Sequence, residues 1–313
     1  MSTAGPFTWR TDQDPSPVGS VLLEVRLRES LVHLSGRFRV AVPRNGRHAA
    51  ALETLSKWNK TDRPIDLSDQ EELRRLTEAH RLAWETFLVT VAAIEDRRNT
   101  RTPFISDKLR LMLDGDLVLE GRRGSPRDTQ FELFLAAMLR LGGLSVARGG
   151  PDLLMRYGTT DVGVAAKRIR SLNVDQVQKN ARDAARQIER AGLRGWIALN
   201  LDSRFAVIDY AQPEDSLLVE FSDTFNSVNA ALQRPAVKPH VLGFILLGYV
   251  HSWHPPLKGT TEPRLHWGAP LRWQGLAGNP QDEALFHAFT DGWSQRWTTN
   301  RTVITSRDFT GQL

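Results

Sequence analysis

From residue 128 onward, the spacing of hydrophobic positions changes repeatedly between helical and strand-like periods. Apolar residues recur three or four apart in 128–141 and 174–191, and both segments end at glycine, so each is predicted to be an amphipathic helix. Short apolar runs are predicted to be strands at 144–147, 152–157, 161–169 and 196–201. The predicted order is helix, strand, strand, strand, helix, strand, which indicates an α/β domain.

The flanking regions have their own patterns. In 17–45, the strings LLEVRLRE and GRFRVAVP alternate apolar and polar residues, which predicts strands. A long helix is predicted at 69–97, capped by Ser68 or Asp69, and 103–127 is predicted to be mainly a connector.

Beyond the predicted α/β domain, the pattern predicts a helix at 222–233 and one long buried strand at 240–253. The predicted domains are a mixed, mostly helical region at 1–125, which could bind a partner, and an α/β domain at 126–313. The last part of the second domain is rich in tryptophan.

Composition narrows the class of protein. The 313 residues include no cysteine, which excludes disulfides and thiolate zinc sites and fits a reducing compartment. The first ten residues lack the apolar core of a signal peptide, and the longest apolar run, 240–250, is too short to span a bilayer. We therefore expect a cytoplasmic protein without membrane association.

Positive charge is concentrated in one window. The whole chain carries a net charge of +5, and the window 163–194 alone has eight basic residues against three acidic ones. Such a local basic field is typical of nucleic-acid binding, although a solvated helix face gives the same pattern. The candidates for phosphate contacts are Arg168, Arg170, Lys179, Arg182 and Arg186.

The chemistry-bearing residues lie on a predicted hairpin. Asp152 begins its first strand, and Lys167 lies on its second strand with Ala165 two residues earlier. A turn centred near 159–160 predicts that Asp152 lies opposite Lys167 and that Leu154 lies opposite Ala165. Because positions two apart share a strand face, carboxylate and lysine groups can converge on one point there.

The pair Pro151–Asp152, followed by VAAKR at 164–168 between the predicted helices, resembles the PD-(D/E)xK nuclease superfamily. The resemblance covers 129–202. It implies a restriction-endonuclease-like fold, a central mixed sheet flanked by helices. By position it implies that Asp152 is a ligand of Mg²⁺ or Mn²⁺ and Lys167 the catalytic lysine. Glu132 matches an acidic residue that many members place on the preceding helix, and Gln187 matches a glutamine that some relatives place on the following one.

Ala165 departs from the family pattern, which has Glu or Asp at this position, and a methyl group cannot bind a metal. Three explanations stay open: a deliberate Glu-to-Ala substitution, which we favour; natural loss of activity; or migration of the acid to the next helix, where Asp183 is the candidate. This exact sequence is expected to be inactive.

The resemblance implies a Mg²⁺-dependent endonuclease, with DNA the expected substrate, in bacterial antiphage defence or restriction. Such nucleases often act beside a helicase or ATPase, and this chain has no nucleotide-hydrolysis motif of its own. One alternative is a naturally inactive nucleic-acid-binding module of the same fold. Another is an interaction protein whose basic helix meets an acidic partner. An oligomer is compatible with all three.

Overall fold

The protein is an α/β structure in which a mixed sheet is flanked by helices and preceded by a helical region. The computed structural model describes residues 7–9, 20–60, 69–99, 106–113, 125–157, 159–169, 173–201, 219, 222–224, 226–230, 240–248, 250–254, 264–268, 271–275, 284–285 and 287–291. Among these residues, no helix combines the length and the apolar character that crossing a bilayer requires.

The N-terminal elements are β1 (Phe7–Trp9), α1 (Ser20–Gly36), α2 (Arg47–Lys60), α3 (Gln70–Asn99) and α4 (Ser106–Met112). Both strands predicted in 17–45 are wrong. LLEVRLRE lies in α1, where the buried Leu23, Leu27 and Leu34 are four and seven residues apart. The local alternation VRLR is too short to outweigh this helical spacing. Most of GRFRVAVP follows α1 without regular structure.

The helix predicted at 69–97 is confirmed as α3. The Asp69 carboxylate accepts a hydrogen bond of 2.9 Å from the backbone N–H of Glu72, which caps the first turn. Ser68, the other predicted cap, lies outside the described residues. The connector predicted at 103–127 contains a short helix, α4, so that prediction is wrong in part.

Between residues 125 and 200, the second half of the chain follows the predicted element order. Its elements are α5 (Ser125–Leu141), β2 (Ser145–Arg148), β3 (Leu153–Tyr157), β4 (Thr160–Arg168), α6 (Val174–Arg190), β5 (Arg194–Asn200), β6 (Val241–Leu247), β7 (Val250–His254), β8 (Arg264–Gly268) and β9 (Leu271–Gly275). The chain reverses after α5 and α6 at Gly143 and Gly192, whose φ angles are 82° and 66°. Val174 and Ala191 are the first and last residues of the apolar stripe predicted to face inward in 174–191, and both are exposed.

The main sheet has seven strands in the order β1-β9-β6-β5-β4-β3-β2. The central strands β4, β5 and β6 are parallel, and the pairs on both sides of them are antiparallel. The single long strand predicted at 240–253 is therefore wrong. This segment of the chain contains two strands: β6, which is buried in the main sheet, and β7, which pairs with β8 in a separate two-stranded sheet.

The two faces of the sheet belong to two hydrophobic clusters. One cluster joins the N-terminal helices and α5 to sheet residues such as Val164, Trp196 and Ala198. The other joins α6 to the alternate positions, among them Ala165 and Ile197. Because one cluster spans the helices before residue 113 and the sheet after residue 145, the N-terminal helices and this sheet face share one core.

The predicted helix at 222–233 is helical where it is described, at 222–224 and 226–230. In the tryptophan-rich C-terminal region, β9 joins the main sheet beside β6. Residues 292–313 lie outside the described part of the chain.

Candidate functional site

The candidate site is built on the β3–β4 hairpin, whose register differs from the prediction. Tyr157 pairs with Thr160, so the turn has only two residues, and Leu154 pairs with Gly163 instead of Ala165. The predicted register is therefore wrong by two residues. A shift of two moves positions along the strand without exchanging the faces of the sheet.

This register brings Asp152 beside position 165. The backbone N–H of Asp152 donates to the carbonyl oxygen of Val164 at 3.2 Å, and the Asp152 carboxylate accepts from the backbone N–H of Ala166 at 2.8 Å. Asp152 is thus fastened to both neighbours of Ala165. The carboxylate is half-buried, and one of its oxygens takes the place that a backbone acceptor would have in a regular ladder.

Glu132 lies on α5 close to the same charges. It forms an ion pair with Lys108 of α4, and both side chains are about one-fifth exposed. Burial raises the pKa of the Glu132 carboxyl above its usual value, and the nearby Asp152 carboxylate also acts to raise this pKa. The ammonium groups of Lys108 and Lys167 act in the opposite direction and lower it. The charges of Asp152 and Lys167 therefore lie within electrostatic reach of Glu132.

Lys167 is half-buried near the end of β4, where it pairs with Leu199 of β5. It shares a strand face with Ala165, as predicted from the two-residue spacing. The charges that act on Glu132 are thus one carboxylate, that of Asp152, and two lysines, Lys108 and Lys167. Among the described residues, no group of three or more His, Asp or Glu side chains is arranged to hold a metal ion.

Ala165 is completely buried. Its methyl group belongs to the cluster that includes Ala181, Ala184 and Ala185 of α6, so small side chains meet between the strand and this helix. Asp183, the candidate for a migrated acid, is half-exposed and pairs with Arg186 at 3.5 Å. In the part of the chain that the structure describes, no hydrogen bond or ion pair joins Asp183 to Asp152 or Lys167.

The predicted basic face of α6 is present. Lys179, Arg182 and Arg186 are exposed, and the first two line an open pocket of ≈ 520 Å³ at the start of α6. Arg168 is half-buried at the end of β4. Arg170 lies outside the described residues.

Gln187, which matches a glutamine of some relatives, is half-buried on α6. Its side-chain carbonyl oxygen is buried and accepts no hydrogen bond within the described part of the chain. Such a group is uncommon in folded proteins and is compatible with a polar ligand beside α6.

Sequence reasoning missed Lys108. It lies in a segment predicted to be a connector, 24 positions before Glu132. No local motif marks it, because the ion pair depends on how α4 packs against α5.

Comparison of the chain with protein-family models, with curated proteins and with solved structures gave no match. The resemblance to the PD-(D/E)xK superfamily therefore rests on the residues and element order described above.

Proposed function

We propose that this protein is a nuclease of the PD-(D/E)xK type, which hydrolyses phosphodiester bonds in nucleic acid, with DNA the expected substrate. One observation carries the proposal. Asp152 is hydrogen-bonded to Val164 and Ala166, the two neighbours of position 165, and position 165 is two residues before Lys167. Asp152 also lies within electrostatic reach of Glu132. Metal-assisted phosphodiester hydrolysis needs carboxylates and a lysine near one point, and this arrangement supports such a site.

The order of elements supports a restriction-endonuclease-like fold. The chain runs α5-β2-β3-β4-α6-β5, and β4 and β5 are parallel with α6 as their connection. This is the order that the family resemblance implies. The candidate residues lie on α5, at the start of β3 and on β4, as that resemblance requires.

Mg²⁺ or Mn²⁺ would be held by Asp152 and Glu132, because Mg²⁺ is commonly bound through one or two carboxylates together with water and substrate phosphate oxygens. When bound, the cation would polarise the phosphate and lower the pKa of a coordinated water. The two carboxylates fit this minimal set, although each already has a partner, the Ala166 N–H for Asp152 and Lys108 for Glu132.

The remaining roles belong to cationic side chains. The Lys167 ammonium would orient the attacking water or neutralise charge that develops on the phosphate. Exposed cations on α6, such as Lys179 and Arg182, would bind the nucleic-acid backbone without reading its sequence. With a methyl group at 165, the chain as it stands is expected to cleave weakly or not at all.

The test is the Ala165→Glu variant, assayed on single-stranded DNA, duplex DNA and RNA with Mg²⁺ or Mn²⁺. Cleavage is expected to appear in this variant. Adding Asp152→Asn or Lys167→Met should then reduce its rate by about 10²-fold or more. Lys60→Met, which removes an exposed lysine on α2, serves as the control and should leave the rate unchanged. An Ala165→Glu protein that is inert on every substrate contradicts the proposal.

A second candidate function is nucleic-acid binding without catalysis. It is favoured by the complete burial of Ala165 among the alanines of α6, which fills the expected place of the acid with apolar packing. If the protein only binds nucleic acid, both the unchanged chain and the Ala165→Glu variant should bind it with strong salt dependence, and neither should cleave it.

A role in bacterial antiphage defence or restriction, a cytoplasmic location and a helicase or ATPase partner are proposals that rest on the family resemblance. Co-purification of an ATPase with the tagged chain from its native cells would support the last of them.

A further inference from the structure

The ion pair between Lys108 and Glu132 brings a fixed positive charge into the candidate metal site. Lys108 comes from the N-terminal region, and Glu132 is one of the two carboxylates available to a cation. Both side chains are mostly buried, so the pair is screened by water much less than a surface pair would be.

A buried polar network fixes α4 in the position that makes this contact. The guanidinium of Arg47, which is 1% exposed, donates to the carbonyl oxygens of Met112 and Pro126, at the end of α4 and the start of α5. In the next turn of α5, Gln130 donates to the buried Glu85 of α3. The approach of α4 to α5 is therefore set by packed helices.

The four charged groups of the site balance without a metal. Glu132 and Asp152 contribute two negative charges, and Lys108 and Lys167 contribute two positive ones. A divalent cation that approaches Glu132 meets the Lys108 ammonium, which already occupies this carboxylate and repels like charge.

We propose that Lys108 is a built-in counter-ion that occupies Glu132 and holds the candidate metal site in a low-affinity state. This inference rests on the proposed function, because it concerns the regulation of the same site. Displacement of Lys108 from Glu132 by a competing phosphate anion frees the second carboxylate for the cation.

The test measures binding of Mn²⁺ to the full chain by electron paramagnetic resonance, without any cleavage assay. Lys108→Met is expected to tighten Mn²⁺ binding by about tenfold or more, because it removes one positive charge next to a ligand. Lys108→Arg keeps the charge and should bind Mn²⁺ as the unchanged chain does. Adding Glu132→Gln to Lys108→Met should cancel the gain.

Unchanged or weaker Mn²⁺ binding by the folded Lys108→Met chain overturns the inference, as does a gain that survives Glu132→Gln. Thermal unfolding verifies that each variant is folded. If Lys108→Met does not fold, Lys108→Gln replaces it with the same expectations. The readout is separate from the proposed function, since the nuclease proposal depends on cleavage by the Ala165→Glu variant and this inference depends on metal affinity alone.

Discussion

Replacing Ala165 by glutamate changes stability as well as chemistry, and the size of the change follows from the packing at this position. Ala165 is completely buried in the cluster that contains Ala181 and Ala184. A larger side chain in such a place typically costs about 1–3 kcal/mol of unfolding free energy. Without metal, we therefore expect Ala165→Glu to unfold at a lower urea concentration than the unchanged chain.

A divalent cation should return part of this stability if the new carboxylate joins Asp152 in binding it. A ligand at 100 times its dissociation constant stabilises the folded state by about 2.7 kcal/mol. Ala165→Gln has nearly the same volume and no charge, so it should show the packing cost with little metal-dependent recovery. The gain in unfolding free energy on adding Mn²⁺ is compared between Ala165→Glu and Ala165→Gln. The difference between these two gains reports metal binding by the new carboxylate, because the packing cost is common to both variants.

The assay is urea unfolding of the unchanged chain, Ala165→Glu and Ala165→Gln, each with EDTA and with Mn²⁺. Equal stability of all three proteins in EDTA would refute the argument that position 165 is tightly packed. Equal recovery of the two variants in Mn²⁺ would show that the cation binds away from this position, and the roles proposed for Asp152 and position 165 would fail with it.

Three further outcomes are expected. Glu78→Ala should lower the unfolding free energy by about 3–5 kcal/mol in urea titrations, because Glu78 pairs with the buried Arg81 at 2.6 Å and with Arg127 at 3.1 Å. Burial alone would raise the pKa of Glu78, but these two arginines lower it to about 2. The stability that the Glu78 carboxylate contributes is therefore present above pH 4.5 and lost as the pH falls toward 2. Acid titration should show this loss of stability in the unchanged chain and much less of it in Glu78→Ala. Arg182→Ala should reduce the salt slope of duplex DNA binding by about 0.9, and an unchanged slope would remove Arg182 from the proposed phosphate contacts.

The sequence pattern predicted the α/β elements because each carries a complete local signal. In α6, the buried Val177, Ala181, Ala184 and Ile188 keep helical spacing up to Gly192, whose positive φ ends the helix. In α1 the signals conflict, because a few alternating residues lie within a longer helical period. The segment forms a helix because the whole stripe of residues at helical spacing is buried, and a string of a few residues does not reveal that longer period.

Long-range geometry was predicted less well. The register of the β3–β4 hairpin depends on whether its turn has two residues, 158–159, or four, 158–161, and the sequence GTTD is compatible with either. The ion pair of Lys108 with Glu132 depends on the packing of α4 against α5, and the contacts of Arg47 that fix this packing lie far apart in the chain. No spacing rule connects such residues.

The charge balance of the site links Ala165 to Lys108. With a glutamate at 165, three carboxylates would face two lysines, and the excess negative charge would favour a divalent cation. With alanine, Lys108 and Lys167 already neutralise Glu132 and Asp152, so the same hairpin geometry has little electrostatic attraction for metal. Under the proposed function, two positions that lie outside the Asp152–Lys167 pair, one on β4 and one on α4, would therefore control metal affinity. A nuclease and a binding module with this fold could differ only in the charge at these two places.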